Sequence, residues 1–244
     1  DELFSRLTAA VRLPESAAPH LLAPFNLVSG KVPRYYQQIA IDRVVEAILR
    51  GQKRILATLA TGTGKTCVAF QICWKLWSSR WNRTGEYRRP KILFLADRNI
   101  LADQAFNAFG AFPSDALCRI RPEEIRRRNG IPRNASVFFT IFQTFMTGGG
   151  ESEEPQFTFE GYEPEFFDFI VIDEIHYAKH REATAAVSKR KRLVQGLVLE
   201  AAKKNAELCV LGMSGTPVIN TLQEGKSLVE MITGHRHDDI DVTP

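Results

Sequence analysis

Arg54-Ile55-Leu56-Ala57-Thr58-Leu59-Ala60-Thr61-Gly62-Thr63-Gly64-Lys65-Thr66 decides the reading of this chain. An apolar, β-rich run passes into a glycine-rich loop and then into a helical pattern. Gly62 and Gly64 let the backbone wrap closely around phosphate oxygens, so that the N–H groups of Thr61, Gly62, Thr63 and Gly64 can face a ligand. A helix starting near Lys65 adds the positive end of its dipole to that cradle. Lys65 is placed to reach the β- and γ-phosphates of a nucleotide, and the Thr66 hydroxyl to sit on Mg2+. One position departs from the strict phosphate-loop pattern, because Leu59 stands where a leading glycine is usual. Alone, the stretch is also compatible with a glycine-rich turn between a strand and a helix.

A second stretch separates those two readings. Phe169-Ile170-Val171-Ile172 reads as a buried strand, and it runs into Asp173-Glu174-Ile175-His176. A carboxylate at the C-terminal end of a strand can hold magnesium through water, and is the usual acidic partner of a phosphate loop. Asp173 is therefore assigned to the metal together with Thr66, and Glu174 to orienting or deprotonating the attacking water. The run from Phe167 to Ile172, interrupted only by Asp168, is unlike a solvated surface. The two stretches together imply ATP and Mg2+ as cofactors. His176 is read as a bridge from this motif toward Ser214 or Thr216. A metal-ligand role is set aside because no second His or Cys sits at ligand spacing.

Around these motifs, apolar runs alternate with helical patterns, which predicts an α/β fold with a mostly parallel sheet and helices on both faces. Strands are expected at 54–59, 91–96, 136–140, 168–173 and 208–212. Helices are expected at 36–50, 65–79, 99–109, 122–128, 185–205 and 222–233. Residues 1–31, with Pro14, Pro19 and Pro24, read as a connector. The ATP-binding lobe is expected over 32–236, and 237–244 reads as a truncated link onward. The stretch 147–164, rich in glycine and glutamate, reads as a surface loop.

The 244 residues suffice for one large domain with a sizeable core, and 44% hydrophobic with 25% charged content is ordinary for a globular protein. A net charge of +4 favours polyanionic partners only mildly. The four cysteines are dispersed, with no Cys-x-x-Cys spacing, which suits a reducing compartment. No apolar stretch approaches membrane-spanning length and no signal peptide is visible, so a cytoplasmic protein with no membrane partner is expected. Trp74, Trp77 and Trp81 form a helical stripe that reads as core or lobe interface, and Phe138, Phe139, Phe142 and Phe145 read as core. The basic clusters Arg88-Arg89-Pro90-Lys91, Arg126-Arg127-Arg128 and Lys189-Arg190-Lys191-Arg192 are candidate phosphate contacts, with a solvated face as the equal alternative. His235-Arg236-His237-Asp238-Asp239 reads as a polar segment rather than a metal site.

With these motifs in view, the chain resembles the first RecA-like lobe of superfamily 2 helicases and translocases. Arg34-Tyr35-Tyr36-Gln37 is similar to the adenine-reading segment of that superfamily, which implies a base contact by Gln37 and stacking by Tyr36. Phe94-Leu95-Ala96-Asp97-Arg98-Asn99 resembles motif Ia and Thr140-Ile141-Phe142-Gln143-Thr144 resembles motif Ib. In the family both touch the DNA backbone, which implies DNA contacts by Arg98, Thr140 and Gln143. Ser214-Gly215-Thr216-Pro217 resembles motif III, which implies that Ser214 and Thr216 couple the ATP state to DNA.

Over residues 1–173 the likeness is closer to the motor (restriction) subunit of type I restriction enzymes. It is carried by Leu21-Leu22-Ala23-Pro24-Phe25-Asn26, by Pro33-Arg34-Tyr35-Tyr36-Gln37-Gln38 and by the stretches from Ile92 to Leu101 and from Val137 to Phe145. Beyond Asp173 the pattern departs, with Ile175 after Glu174, Tyr177 after His176, and a Gly215-Thr216-Pro217 motif with Asn220 that looks more like Swi/Snf-type translocases.

The resemblance implies a hydrolase: a DNA-dependent ATPase whose lobe powers translocation on duplex DNA in restriction-modification. Its implied partners are duplex DNA, a second RecA-like lobe missing from this chain, and modification and specificity subunits. The second lobe would supply an arginine finger worth about 10³–10⁵ in rate, so the isolated lobe is expected to hydrolyse slowly. No Pro-Asp…Asp/Glu-x-Lys nuclease motif is present, and no cleavage is assigned. A Swi/Snf-type remodelling ATPase and a strand-separating helicase remain as alternatives, as does a P-loop ATPase acting on protein. Intact Lys65, Asp173 and Glu174 argue against a non-hydrolysing lobe.

Overall fold

Strands that are apolar on both faces build the centre of a single sheet. In the computed structural model, residues 13, 15–28, 30, 32–121, 123, 131–142, 162–163, 165–175, 203–215, 222–233 and 236–238 are described. Among the described residues six strands are found: β1 (Arg54–Thr58), β2 (Ile92–Ala96), β3 (Leu117–Arg119), β4 (Val137–Ile141), β5 (Phe169–Ile172) and β6 (Cys209–Ser214). They lie in the order β1-β6-β5-β2-β4-β3, and every pairing is parallel. In β2, Ile92, Leu93, Phe94, Leu95 and Ala96 are each no more than 1% exposed, as a strand covered from both sides must be.

The period of two sorts these side chains into two cores. Ile92, Phe94, Phe139, Val171 and Leu211 join the first, and Leu93, Leu95, Phe138, Ile170 and Val210 the second. Three helices cover the first face: α2 (Tyr35–Leu49), α3 (Lys65–Ser78) and α4 (Asn99–Ala108), after a short α1 (Ala18–Leu21). In α2 the buried Ile41, Val44, Val45 and Ile48 recur at three- and four-residue steps, the stripe an amphipathic helix needs. The second face packs against α5 (Leu222–Thr233) through Leu228, Met231 and Ile232. The α/β architecture with helices on both faces is therefore as expected. No helix among the described residues is long and apolar enough to cross a membrane.

Most expected elements are present within a residue or two. The strand β3 and the 3-10 turn before it (Ser114–Ala116) were not anticipated. The expected helices at 122–128 and 185–205 and the loop at 147–164 lie almost wholly outside the described residues. Residues 15–28, part of the expected connector, pack onto the lobe. Asn26 N–H donates to Gln71 Oε1 at 2.9 Å, Gln71 Nε2 returns a bond to Asn26 O at 2.8 Å, and Lys75 Nζ donates to Leu21 O at 2.9 Å. Trp74, Trp77 and Trp81 pack against the first core, as the stripe suggested. None of the four cysteines is joined in a disulfide.

The cluster Arg88-Arg89-Lys91 is structural, contrary to a phosphate-binding reading. Asp168, fully buried at the start of β5, is the charge that interrupts the apolar run. Arg88 grips it bidentately, Nη1 to Oδ2 at 2.6 Å and Nη2 to Oδ1 at 2.8 Å, and Lys91 N–H donates to Oδ2 at 2.8 Å. Arg89 lies over the Trp77 ring and donates to the carbonyls of Trp77 and Ser78 at the end of α3. Lys91 Nζ donates to the carbonyls of Arg133 and Ala135.

Candidate active site

The loop after β1 is shaped by two left-handed glycines. Gly62 has φ 81° and Gly64 φ 84°, a region that side chains disfavour, and Gly64 is the N-cap from which α3 starts at Lys65. A Cβ on Gly64 would lie 2.6 Å from Gln37 Nε2. Thr63 closes the turn, its Oγ1 donating to Ala60 O at 2.6 Å. Leu59, in place of the usual glycine, prolongs the ladder: its N–H donates to Ser214 O at 2.9 Å while its side chain packs on the first core. Thr66 follows in the first turn of α3, half-buried.

The acidic pair emerges from β5, separated from β1 by β6 alone. Asp173 N–H donates to Leu95 O at 2.9 Å, which fixes the point where the chain leaves the sheet. Glu174 has φ 51°, a conformation rare for a residue with a Cβ and often found at functional positions. Its Oε1 lies 3.0 Å from Lys65 Nζ, and Lys65 itself is 9% exposed. Burial, and then the adjacent Glu174 charge, push the Asp173 carboxyl up to about 6, against the opposing pull of Lys65. Two crowded carboxylates with one ammonium between them favour an added cation. Among the described residues no cluster of three or more His, Cys, Asp or Glu could hold a metal alone. Magnesium needs no such cage, because it is commonly held by one or two carboxylates plus substrate phosphates, and Thr66 with Asp173 fit that set.

The structure also brings in a residue whose role the sequence left unassigned. A Cβ on Gly215 would lie 2.9 Å from Lys65 Nζ and 3.0 Å from Thr61 Oγ1. The backbone after β6 thus closes over the loop lysine. Ser214, one residue earlier, is fully buried, and its carbonyl holds Leu59. The signal in the sequence was the glycine inside Ser214-Gly215-Thr216-Pro217.

Tyr36 and Gln37 reach the loop as well. Gln37 Nε2 donates to Thr63 O at 2.7 Å and its Oε1 accepts from Arg34 N–H at 2.8 Å. The Tyr36 hydroxyl donates to the same Thr63 carbonyl at 3.4 Å. One N–H and one acceptor lone pair of Gln37 remain for a base.

Arg98 stands at the C-terminal edge of the sheet as the N-cap of α4, its side chain 71% exposed and its Nε 3.4 Å from Asp97 Oδ2. Thr140 corrects an expectation. It is fully buried inside β4 and its hydroxyl has no hydrogen-bond partner, so its side chain cannot touch DNA from this position. Gln143, His176 and Thr216 lie outside the described residues, as do Arg126-Arg127-Arg128 and Lys189-Arg190-Lys191-Arg192.

Known proteins place this geometry in a family. The chain is 42% identical over 161 residues to the type I restriction enzyme EcoAI endonuclease subunit of Escherichia coli, covering 64% of this chain and 17% of that protein. It is 28% identical over 204 residues to the EcoKI endonuclease subunit of Escherichia coli strain K12, covering 78% of this chain and 16% of that one. A solved fragment assigned as the HsdR subunit of a type I restriction enzyme from Vibrio vulnificus YJ016 superposes with TM-score 0.65 at 33% identity. That superposition takes in 97% of this chain and 35% of the other. The chain therefore spans only a small part of the curated relatives it matches. The family described as "Type III restriction enzyme, res subunit" matches residues 30–219, a range that holds both the loop and the acidic pair and runs through Asp173, where a change of resemblance was expected. This chain belongs to that family.

Proposed function

We propose that this chain binds Mg-ATP between the loop at 59–66 and the Asp173-Glu174 pair, as the nucleotide-binding lobe of a DNA-dependent ATPase that moves along duplex DNA. The observation that carries the reading is the 3.0 Å contact between Lys65 Nζ and Glu174 Oε1, which joins the two motifs at one point. Its companions are the left-handed Gly62 and Gly64 and the start of α3 at Lys65.

Each residue has a role. The loop N–H groups, apart from Thr63 N–H, which bonds Ala60 O at 3.2 Å, and the dipole of α3 receive phosphate oxygens. Lys65 exchanges Glu174 for the β- and γ-phosphates, which frees that carboxylate to take a proton from the attacking water. Thr66 and Asp173 hold the magnesium, which when bound neutralises charge on the phosphates. In this reading Tyr36 and Gln37 face the adenine, His176 bridges the acidic pair toward Ser214 or Thr216, and Arg98 and Gln143 meet the DNA backbone. A second RecA-like lobe supplies the arginine finger. Modification and specificity subunits complete the assembly, as the type I relatives suggest.

The test is ATP turnover by the full-length protein with linear duplex, single-stranded DNA or RNA. Strong stimulation by duplex alone, together with displacement of a bound third strand, supports the translocase. Preference for single strands, with strands parted, replaces it by an unwinding helicase. Brisk DNA-independent turnover by this chain alone, abolished by Glu174→Gln, contradicts the need for a second lobe.

A further inference from the structure

The last residue of β3 is an arginine only 9% exposed, on the far side of the sheet from the nucleotide loop. Its guanidinium donates to four acceptors on three surrounding pieces of chain. Arg119 Nε reaches Asp103 Oδ1 at 2.8 Å in α4, and Nη2 reaches Asn99 Oδ1 at 2.8 Å at the start of α4. Nη1 reaches Ile120 O at 2.8 Å and Phe139 O at 3.2 Å, the latter in β4. Asp103 also accepts from Arg121 Nη2 at 3.0 Å. Asn99 follows Arg98 directly, and Phe139 directly precedes Thr140. One side chain therefore ties together the two stretches that resemble DNA-contacting motifs.

We infer that Arg119 is a positioning residue for DNA, holding the first turn of α4 against the C-terminal end of β4 so that Arg98 meets a phosphate in fixed register with the sheet. This rests on the proposed function. Arg98 lies at 3.4 Å from Asp97 and is largely exposed, so its direction comes mainly from the backbone it caps. Asn99 is the next residue, and Arg119 holds its side chain. The planar guanidinium suits acceptors in several directions, whereas a lysine offers a point charge on a flexible stem. Burying a charge at a sheet edge is costly where an apolar residue would pack, and the full set of hydrogen bonds offsets that cost. Holding α4 before DNA arrives removes part of the ordering cost of binding.

The experiment uses the full-length protein and its Arg119→Lys, Asn99→Ala, Arg98→Ala and Arg98→Ala/Arg119→Lys variants. Measured for each are the duplex concentration giving half-maximal stimulation of ATP turnover, turnover at saturating duplex, turnover without DNA, and the melting temperature. Arg119→Lys and Asn99→Ala should each raise the half-maximal duplex concentration on the order of ten-fold with DNA-free turnover unchanged, while melting falls because buried partners are left unpaired. In the Arg98→Ala background, Arg119→Lys should add less than about two-fold, because the two residues act through one contact. Independent, multiplicative effects overturn the inference, as does a loss of DNA-free turnover in step with melting, which marks a merely structural role. Wild-type turnover that ignores duplex defeats the underlying reading before any variant is compared, and this inference with it.

Discussion

Replacing Gly215 by alanine tests the closure of β6 over the nucleotide loop. The added Cβ would stand 2.9 Å from Lys65 Nζ and 3.0 Å from Thr61 Oγ1, where ordinary contact begins near 3.4 Å. Gly215 is not among the left-handed glycines, so the alanine backbone itself is unstrained. The nearest atoms are the ends of two side chains, and the ammonium can retreat by about half an ångström at little cost to the fold. A Gly→Ala change that the backbone accepts adds about 0.4–1 kcal/mol by restricting the unfolded chain, so melting should hold or rise slightly. Catalysis is less tolerant. A misplacement of about 1 Å at reacting groups can cost about 10²-fold, so half that shift should lower turnover on the order of ten-fold. The assay is steady-state ATP turnover of the full-length protein at saturating duplex, with nucleotide affinity from a fluorescent ATP analogue and a thermal melt. Turnover and affinity equal to wild type would refute the reasoning, because Lys65 would then not work from the place beside Gly215. A large fall in melting temperature would refute it differently, by showing that the fold and not the lysine absorbs the clash.

Gly212→Ala, three residues earlier and inside β6, should do the opposite: its Cβ would lie 2.6 Å from Ile232 Cδ1 and 3.1 Å from Ile175 Cδ1, both buried, so urea unfolding should show about 1–3 kcal/mol of lost stability. Asp168→Asn strips the charge from a fully buried hub while Arg88, Arg83 and Lys91 still point at it, and should cost about 3 kcal/mol by the same measurement. Unchanged midpoints would show that the Arg88 fork is replaceable by water. Asp173 gives a pH signature in the nucleotide-free protein. Its carboxyl titrates near 6 in the fold and near 3.9 when unfolded, so the folded state binds the proton more tightly. Its contribution is favourable below about pH 4 and is lost as pH rises to about 6, a fall of about 3 kcal/mol that Asp173→Asn should flatten in urea midpoints taken across that range.

How much of this was legible depends on where the information sits. The phosphate loop and the acidic pair are local: each is a strand end followed by a few residues whose chemistry is fixed by type, and the structure joins Lys65 to Glu174 without adjustment. β2 is a continuous apolar run and β4 is one interrupted only by Thr140, readable because both faces are covered. β3 was not readable, since Leu117-Cys118-Arg119 is too short to show a period and lies on the sheet edge. Thr140 shows how a small boundary error changes a functional reading. The strand was expected to end at 140 and ends at Ile141, which leaves the residue enclosed in β4 and not at its mouth. Arg88 had a visible clue in the lone charge inside an apolar run, but its pairing with Asp168 spans two distant segments. Gly215 had none beyond its own identity, because its closeness to Lys65 comes from the register of β1 on β6, Thr58 opposite Ser214.

The strand order gives the site its division of labour. β1, β6 and β5 are neighbours, and their C-terminal ends lead to the loop of Lys65, to Gly215 and to Asp173 and Glu174. β2, β4 and β3 form the other half, leading to Arg98, to the segment after Thr140 and to Arg119. The halves meet at one seam, where β5 pairs with β2 and Leu95 lies opposite Ile172. The last bond of that seam is Asp173 N–H to Leu95 O, 2.9 Å, and it joins the residue assigned to the metal to the strand that ends at Ala96 and leads to Asp97 and Arg98. Two residues, Ala96 and Asp97, therefore separate Leu95 from Arg98 and its exposed guanidinium. Interiors packed this closely move as units rather than bending smoothly. A rearrangement of the Asp173-Glu174 turn, whose left-handed Glu174 is tied to Lys65, thus has a path of backbone to the edge proposed to meet DNA that crosses a single hydrogen bond.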